Sequence, residues 1–299
     1  MSEAAVLNPT APTRQVRALP SAAAVPFALL LLLAALLYAG VGAKLVYDWY
    51  DLPDFSHGFI VPFFSAFLIW ERRKRIAATP ILPSWAGLPL VFVSLLMLLT
   101  GRFGADLFLS RLSFLLLLAG AVWTVAGMRM LRVLTFPIGV LLLAIPLPAV
   151  LFNQLTFPLQ MLASRVAADM LPLAGVPVLR EGNVINLPAM QLEVAEACSG
   201  IRSMMSLFTV AVFFGYLFER GTLRRVLLAL CSLPIAVAAN ALRIFGTGLC
   251  VQYWDPDKAM GFFHEFSGWL MFLVSLACLY LIHLATRRFG RGNTVSNPA

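Results

Sequence analysis

Three residues of the chain have side chains that together could perform acyl transfer: Cys198, Arg243 and His264. A thiolate attacks a carbonyl carbon, an imidazole accepts and returns protons near neutral pH, and a fixed guanidinium stabilises the oxyanion of a tetrahedral intermediate. The three residues are far apart in the sequence, so this chemistry requires a fold that brings separate segments together.

Cys198 stands in the segment Glu-Ala-Cys-Ser-Gly-Ile-Arg, residues 196–202, where a polar connection enters an apolar run. The positive end of a helix dipole at that point would favour the thiolate. Glu196 would disfavour it, unless its carboxylate turns away or pairs with Arg202. Arg202 lies four residues after Cys198 on the same helix face, where an ion pair with Glu196 or Glu193 is as good an interpretation as substrate contact.

Asn240 and Arg243 share one face of another predicted helix. An arginine within a membrane is costly and usually lines a functional site, although a structural arginine bonded to Asn240 and to backbone carbonyls is the alternative. His264 opens the last apolar run, where it could also act as a cap or bridge near Glu265. His57 opens the second run, where it could contact substrate or bond to nearby backbone.

The composition places these residues in a membrane protein, because 61% of the 299 residues are hydrophobic and only 12% are charged. Such a composition excludes an ordinary soluble domain. Apolar runs close to the length that spans a bilayer predict an all-α polytopic bundle of about eight transmembrane helices. These runs are residues 25–46, 56–70, 84–100, 107–126, 130–147, 200–218, 224–250 and 264–286.

The net charge of +8 comes from short basic clusters between the apolar runs, which argues against a nucleic-acid partner. The clusters around residues 14–17, 72–75, 129–132, 220–225 and 287–291 all reach the cytoplasmic side when both termini are placed there. The same topology brings Cys198, Arg243 and His264 to the outer side. The clusters that set the orientation contain none of those three residues, so the agreement is independent support.

The chain is predicted to consist of a flexible cytoplasmic tail (1–24), one integral membrane domain (25–288) and a second cytoplasmic tail (289–299). Within the domain, residues 148–197 predict a small extracytoplasmic cap. Residues 153–172 of the cap fit an amphipathic interfacial helix or, equally, a re-entrant segment. Residues 178–187 fit a β-hairpin around a Glu-Gly-Asn turn.

The sequence predicts no metal site and no cofactor, because its three histidines are dispersed and no paired-cysteine or His-Glu-x-x-His pattern occurs. His283 falls near the cytoplasmic end, away from the other candidates. Simple packing of Cys198, or a disulfide between Cys198 and Cys250, remains the alternative to a nucleophile.

The segment around Cys198, the later Asn-Ala-Leu-Arg-Ile at 240–244 and the downstream His264 together resemble the exosortase signature. The Ser-His-Gly-Phe segment at 56–59 is also similar to the amino-terminal region of exosortases. The resemblance implies a bacterial inner-membrane cysteine transpeptidase with Cys198 as nucleophile, Arg243 as essential arginine and His264 as third member. The implied partners are the lipid bilayer and exported proteins that carry a carboxy-terminal Pro-Glu-Pro-like motif, a hydrophobic helix and a basic tail.

Two other functions fit a polytopic membrane protein. A channel or transporter would use Arg243 and Arg202 to bind an anion and would not need Cys198. A scaffold for the assembly of exported polysaccharide would form no thioester and would process no substrate.

Overall fold

The structure is a computed structural model of the chain. It describes the backbone of residues 21–193, 200–254 and 262–291 and the side chains of residues 32–192, 203–254 and 266–287. Most of the predicted terminal tails, 1–24 and 289–299, lies outside the described residues. The chain divides into two units, Met1–Ala43 and Lys44–Ala299. The packing that positions the candidate site lies within the second unit.

The described residues form ten α-helices and one small sheet, which confirms the prediction of an all-α membrane protein. Helices satisfy their own backbone hydrogen bonds, which hydrocarbon requires. The helices are α1 (Ser21–Asp51), α2 (Ile60–Glu71), α3 (Arg73–Ala78), α4 (Leu88–Phe103), α5 (Leu107–Ala126), α6 (Met128–Val140), α7 (Ala149–Met170), α8 (Gly200–Phe218), α9 (Thr222–Tyr253) and α10 (Phe262–Arg291). Short 3₁₀ segments are Pro53–Phe59, Trp85–Gly87, Leu141–Ala144 and Leu171–Ala174.

The prediction of eight spans is wrong. Among the described residues, five helical segments are long and apolar enough to cross a bilayer: Leu32–Asp51, Trp85–Phe103, Leu107–Ala126, Thr222–Tyr253 and Phe266–Arg287. Residues 56–70 do not form a helix long enough to span, because the 3₁₀ segment Pro53–Phe59 precedes an α2 of only 12 residues. That helix is roughly 18 Å long, against about 30 Å of hydrocarbon. The run 200–218 forms the 19-residue helix α8, whose described part, Ser203–Phe218, is one of the shorter apolar helices.

The predicted span 130–147 is interrupted by a bend. The helical stretches Met128–Ala144 and Ala149–Ala174 meet at an angle of 82°, and they count as a sixth span only if taken together. Pro146 and Pro148 lie at the break, where they lack the backbone N–H that would continue the helix. A broken span and a re-entrant loop both fit this geometry. Residues 153–172 lie in α7 and the 3₁₀ segment that follows it, and the interfacial helix and the re-entrant segment both stay predictions.

The hairpin predicted over 178–187 is confirmed. Strands β1 (Leu179–Glu181) and β2 (Val184–Asn186) pair antiparallel around Gly182, whose φ of +67° suits glycine. A third strand, β3 (Gln191–Glu193), pairs antiparallel with β2 and was not predicted. The sheet packs against α7 and α9 through a core that contains Ala167, Leu171, Ile185, Leu192 and Ile244.

Helices α8, α9 and α10 form the bundle that positions the candidate site. α9 packs against both α8 and α10, which also contact each other. Buried Leu207, Ala211, Leu228 and Leu279 fill the interfaces. Consecutive helices joined by short connections alternate in direction, so α8 and α10 run parallel and their amino-terminal ends lie on one side.

Candidate active site

Arg243 lies inside the bundle formed by α8, α9 and α10. The residue is only 4% exposed, although it carries a permanent charge. Its Nε donates a long hydrogen bond of 3.4 Å to Oγ of Ser267 in α10. A side chain at position 268 would place its β-carbon 3.1 Å from Nη2 and 3.2 Å from Cζ of Arg243. Because residue 268 is glycine, α10 can pass directly beside the guanidinium.

A narrow cavity lies beside Arg243 and is bounded by all three helices. We call it the arginine-side cavity; α8 contributes Ser203, α9 contributes Asn240 and Arg243, and α10 contributes Gly268. These are the helices expected to position Cys198, Arg243 and His264. The polar lining includes a guanidinium, an amide and hydroxyl groups.

Only part of the predicted site falls within the described residues. Cys198 and Glu196 lie outside them, but α8 begins at Gly200, two residues after Cys198. The backbone of Arg202 belongs to α8 and that of His264 to α10, whereas their side chains lie outside the described residues. The elements that follow Cys198 and carry His264 therefore meet at the arginine-side cavity.

Asn240 lies one helical turn before Arg243 and lines the arginine-side cavity and a second one. We call the second one the α7-side cavity; α7 contributes Thr156, Leu159 and Gln160, and α8 contributes Met204. The Oδ1 atom of Asn240 is buried and has no hydrogen-bond partner among the described residues. The structural alternative, in which Asn240 bonds to Arg243, would have given that oxygen a donor.

His57 is buried in the 3₁₀ segment Pro53–Phe59, which packs against α8. Its Nε2 lies 3.1 Å from the carbonyl oxygen of Leu143. A carbonyl only accepts, so Nε2 carries a proton and Nδ1 is the acceptor of the neutral ring. Burial lowers the pKa of His57, and the carbonyls of Leu143 and Asp54 offset part of that effect. Nδ1 makes no hydrogen bond of normal geometry within the part of the chain described.

Two buried pairs of ionisable side chains escaped the sequence analysis. His283 was expected to lie away from other candidates, but its Nδ1 is 2.6 Å from Oε1 of Glu219, at the end of the bundle opposite Arg243. Arg111 of α5 is paired with Asp48 of α1. The available signal was the same in both cases: an ionisable residue within an apolar run requires a partner.

Other candidate chemistry is limited in the described residues. No group of three or more His, Cys, Asp or Glu residues is close enough there to hold a metal ion. Cys250 has a free thiol, which argues against the alternative of a disulfide with Cys198.

Comparison with known protein families finds one match that covers most of the chain. The family model described as transmembrane exosortase matches residues 49–281. This range includes His57, the arginine-side cavity and the positions of Cys198 and His264. Comparisons with curated proteins and with solved structures find no significant match.

Proposed function

Since the chain belongs to the transmembrane exosortase family, we propose that it is a membrane-embedded cysteine peptidase and transpeptidase. Its substrates are exported proteins that carry a carboxy-terminal Pro-Glu-Pro-like motif, a hydrophobic helix and a basic tail. It resides in the bacterial inner membrane, has both termini in the cytoplasm, and opens its active site to the periplasm.

The observation that carries this proposal is the burial of Arg243 beside a cavity between α8, α9 and α10. Burial of a charged arginine in a membrane protein costs free energy. Its fixed positive charge is well suited to stabilise the negative charge that develops on a reacting carbonyl. Position 264 lies one helical turn before Gly268 in α10. Since residues four apart share a helix face, position 264 lies on the same face of α10 as Gly268.

The proposed reaction begins when the thiol of Cys198 transfers its proton to His264. The thiolate attacks the scissile carbonyl, and Arg243 donates hydrogen bonds to the resulting oxyanion. Collapse of the tetrahedral intermediate breaks the C–N bond, and the protonated His264 returns its proton to the departing amine. An amine, a hydroxyl group or water then attacks the thioester carbonyl and gives its proton to His264; the C–S bond breaks, and the Cys198 thiolate takes the proton back from His264. Glu196 and Arg202 support this site through the charge around the thiol and the substrate.

The test is to express the protein with an exported reporter that ends in such a signal, and to follow the mobility of the reporter on gels. We expect wild type to shorten the reporter and both Cys198→Ala and Cys198→Ser to leave it intact. Cys250→Ala is the matched control, because it removes a free thiol from α9 and should preserve processing. Equal processing by wild type and both Cys198 variants would exclude the thioester.

The same variants separate this proposal from its rivals. An anion transporter would retain function in Cys198→Ala and lose it in Arg243→Ala, and an assembly scaffold would process no reporter. Labelling with an impermeant maleimide tests the orientation, since the reagent should reach Cys198 from the periplasm of intact cells. Labelling of Cys198 only after lysis would reverse the proposed topology.

A further inference from the structure

Asn240 lines both the arginine-side cavity and the α7-side cavity, as does Ala236 one helical turn before it. Residues of α10 line the first cavity and residues of α7 line the second, so Asn240 borders one cleft on each side. Each cleft has room for about one water molecule, so a larger molecule enters only if the helices move apart. The position next to Arg243 places Asn240 one turn from the group proposed to hold the oxyanion.

The buried Oδ1 atom of Asn240 is an acceptor without a donor among the described residues. Leaving a buried polar atom unpaired is costly, so such an atom beside a cleft is an indication of a missing partner. The Thr156 hydroxyl also lines the α7-side cavity, but its proton is donated to the Phe152 carbonyl at 2.8 Å, so it does not donate to Asn240.

The chemistry of the reaction indicates which partner would fit. The thiolate reaches a peptide carbonyl only where the substrate backbone is unwound from any helix. Backbone N–H and C=O groups that are not paired within a helix need other partners where bulk water is excluded. A side-chain amide offers one acceptor and two donors, and it therefore matches both groups of a peptide unit.

We propose that Asn240 binds a backbone peptide group of the unwound substrate beside the scissile bond, with Oδ1 accepting the substrate N–H. This assignment rests on the proposed peptidase function and adds a positioning role to it. Recognition of backbone instead of side chains lets one site accept signals that differ in sequence. The substrate chain then runs across α9, with the scissile carbonyl toward Arg243 and the adjoining residues toward α7.

The first test compares Asn240→Leu with wild type in processing of the reporter. Leucine has a similar volume but neither donor nor acceptor, so we expect kcat/KM to fall by roughly 10- to 100-fold with little change in thermal midpoint. Gln252→Leu is the matched control. Its Oε1 is also buried without a partner among the described residues, but it lines neither cavity, so processing should persist.

The second test replaces, one at a time, the backbone N–H groups within about two residues of the reporter's scissile bond by ester oxygens. One such ester should slow wild type by about the factor lost in Asn240→Leu, and that variant should process the ester and amide reporters equally. Equal slowing of both proteins by every ester would overturn the inference. Unchanged processing by Asn240→Leu would also overturn it, but would leave the proposed function intact. A reporter that wild type leaves uncut would overturn the function itself.

Discussion

The two ends of the bundle of α8, α9 and α10 differ in whether their buried polar groups have hydrogen-bond partners. At one end, Oε1 of Glu219, just after α8, lies 2.6 Å from Nδ1 of His283 and accepts a 3.0 Å hydrogen bond from Oγ1 of Thr286. At the other end, Arg243 and Asn240 border narrow cavities, and Oδ1 of Asn240 is unpartnered in the described residues. Along α8, Ser203 and Glu219 mark ends roughly 24 Å apart.

At one end the buried polar groups satisfy one another, and at the other end we propose that a substrate completes the contacts of Asn240. A fully satisfied buried network fixes the relative position of its helices, whereas an unsatisfied one is stable only if something else completes it. Glu219 and His283 are 3% and 2% exposed, and the rings of Phe214 and Phe218 pack around the imidazole. The contact between Glu219 and His283 joins the end of α8 to α10 and helps to set the positions of the opposite ends of these helices.

The largest effect should come from Arg243→Leu. Removal of one donor to an oxyanion lowers kcat by roughly 100- to 1000-fold, so we expect reporter processing to be lost or nearly lost. Arg243→Lys keeps the charge but not the planar guanidinium, and it should recover only part of the rate. Single-turnover rates of the purified variants measure the effect.

Arg111→Leu is the control for loss of a buried arginine. Arg111 is 3% exposed and paired with Asp48, and it lines neither cavity. Its loss should lower thermal stability, while the rate per folded molecule stays near that of wild type. Comparable rate losses in the two leucine variants would mean that Arg243 is only structural.

Gly268→Ala should produce an intermediate effect. The added methyl group would lie 3.1 Å from Nη2 of Arg243, so the guanidinium must shift by a few tenths of an ångström or more. We expect roughly a tenfold loss of kcat, since displacement of a catalytic group by a fraction of an ångström to 1 Å has effects of this order or larger. Gly246→Ala, whose added methyl group would meet open space, should keep the wild-type rate. Full activity of Gly268→Ala would show that this close approach does not position Arg243.

Glu219→Ala should lower stability and nearly preserve the rate, whereas Gly268→Ala should lower the rate. It leaves Nδ1 of the buried His283 without its partner, which costs about 1–3 kcal/mol, whereas the Thr286 hydroxyl can still donate to the His283 carbonyl at 2.8 Å. The thermal midpoint in detergent should fall, while the kcat of the protein that remains folded changes by less than about twofold. Thr286→Val removes one donor only and should shift the midpoint less. A specific loss of kcat in Glu219→Ala at unchanged midpoint would reverse the assignment of the two ends.

The smallest effect should be a change in the pH dependence of stability through His57. Because the pKa of the buried ring is lowered in the folded protein, the unfolded chain binds the proton more readily. As far as His57 is concerned, the folded protein therefore has its full stability above the unfolded pKa of about 6.5, and it loses part of that stability as the pH falls below this value. Thermal midpoints of wild type should decrease between pH 7.5 and about 5.5 more than those of His57→Gln. Parallel curves for the two proteins would assign the acid sensitivity to other groups.

The sequence predicted the parts of this protein that depend on local pattern. Hydrophobic content gave the membrane class, the motif around residues 196–202 together with 240–244 gave the family, and the Glu-Gly-Asn turn gave the hairpin. The number of spans was wrong, because apolar composition alone does not show where a helix ends. Pro53 lies in the 3₁₀ segment that precedes the short helix α2, and Pro146 and Pro148 lie at the bend between α6 and α7. The hydropathy of these segments still resembles that of full spans.

By itself, therefore, the sequence determined which segments are apolar, where each chemical group lies along the chain, and which family the chain belongs to. Only the tertiary structure decided that Gly268 meets Arg243, that Asn240 lines two cavities, and that His283 pairs with Glu219. Gly268 and Arg243 are 25 positions apart in the sequence, and His283 and Glu219 are 64 positions apart. The physical reason is that helical periodicity fixes the face of a residue, whereas its partner depends on how whole helices pack.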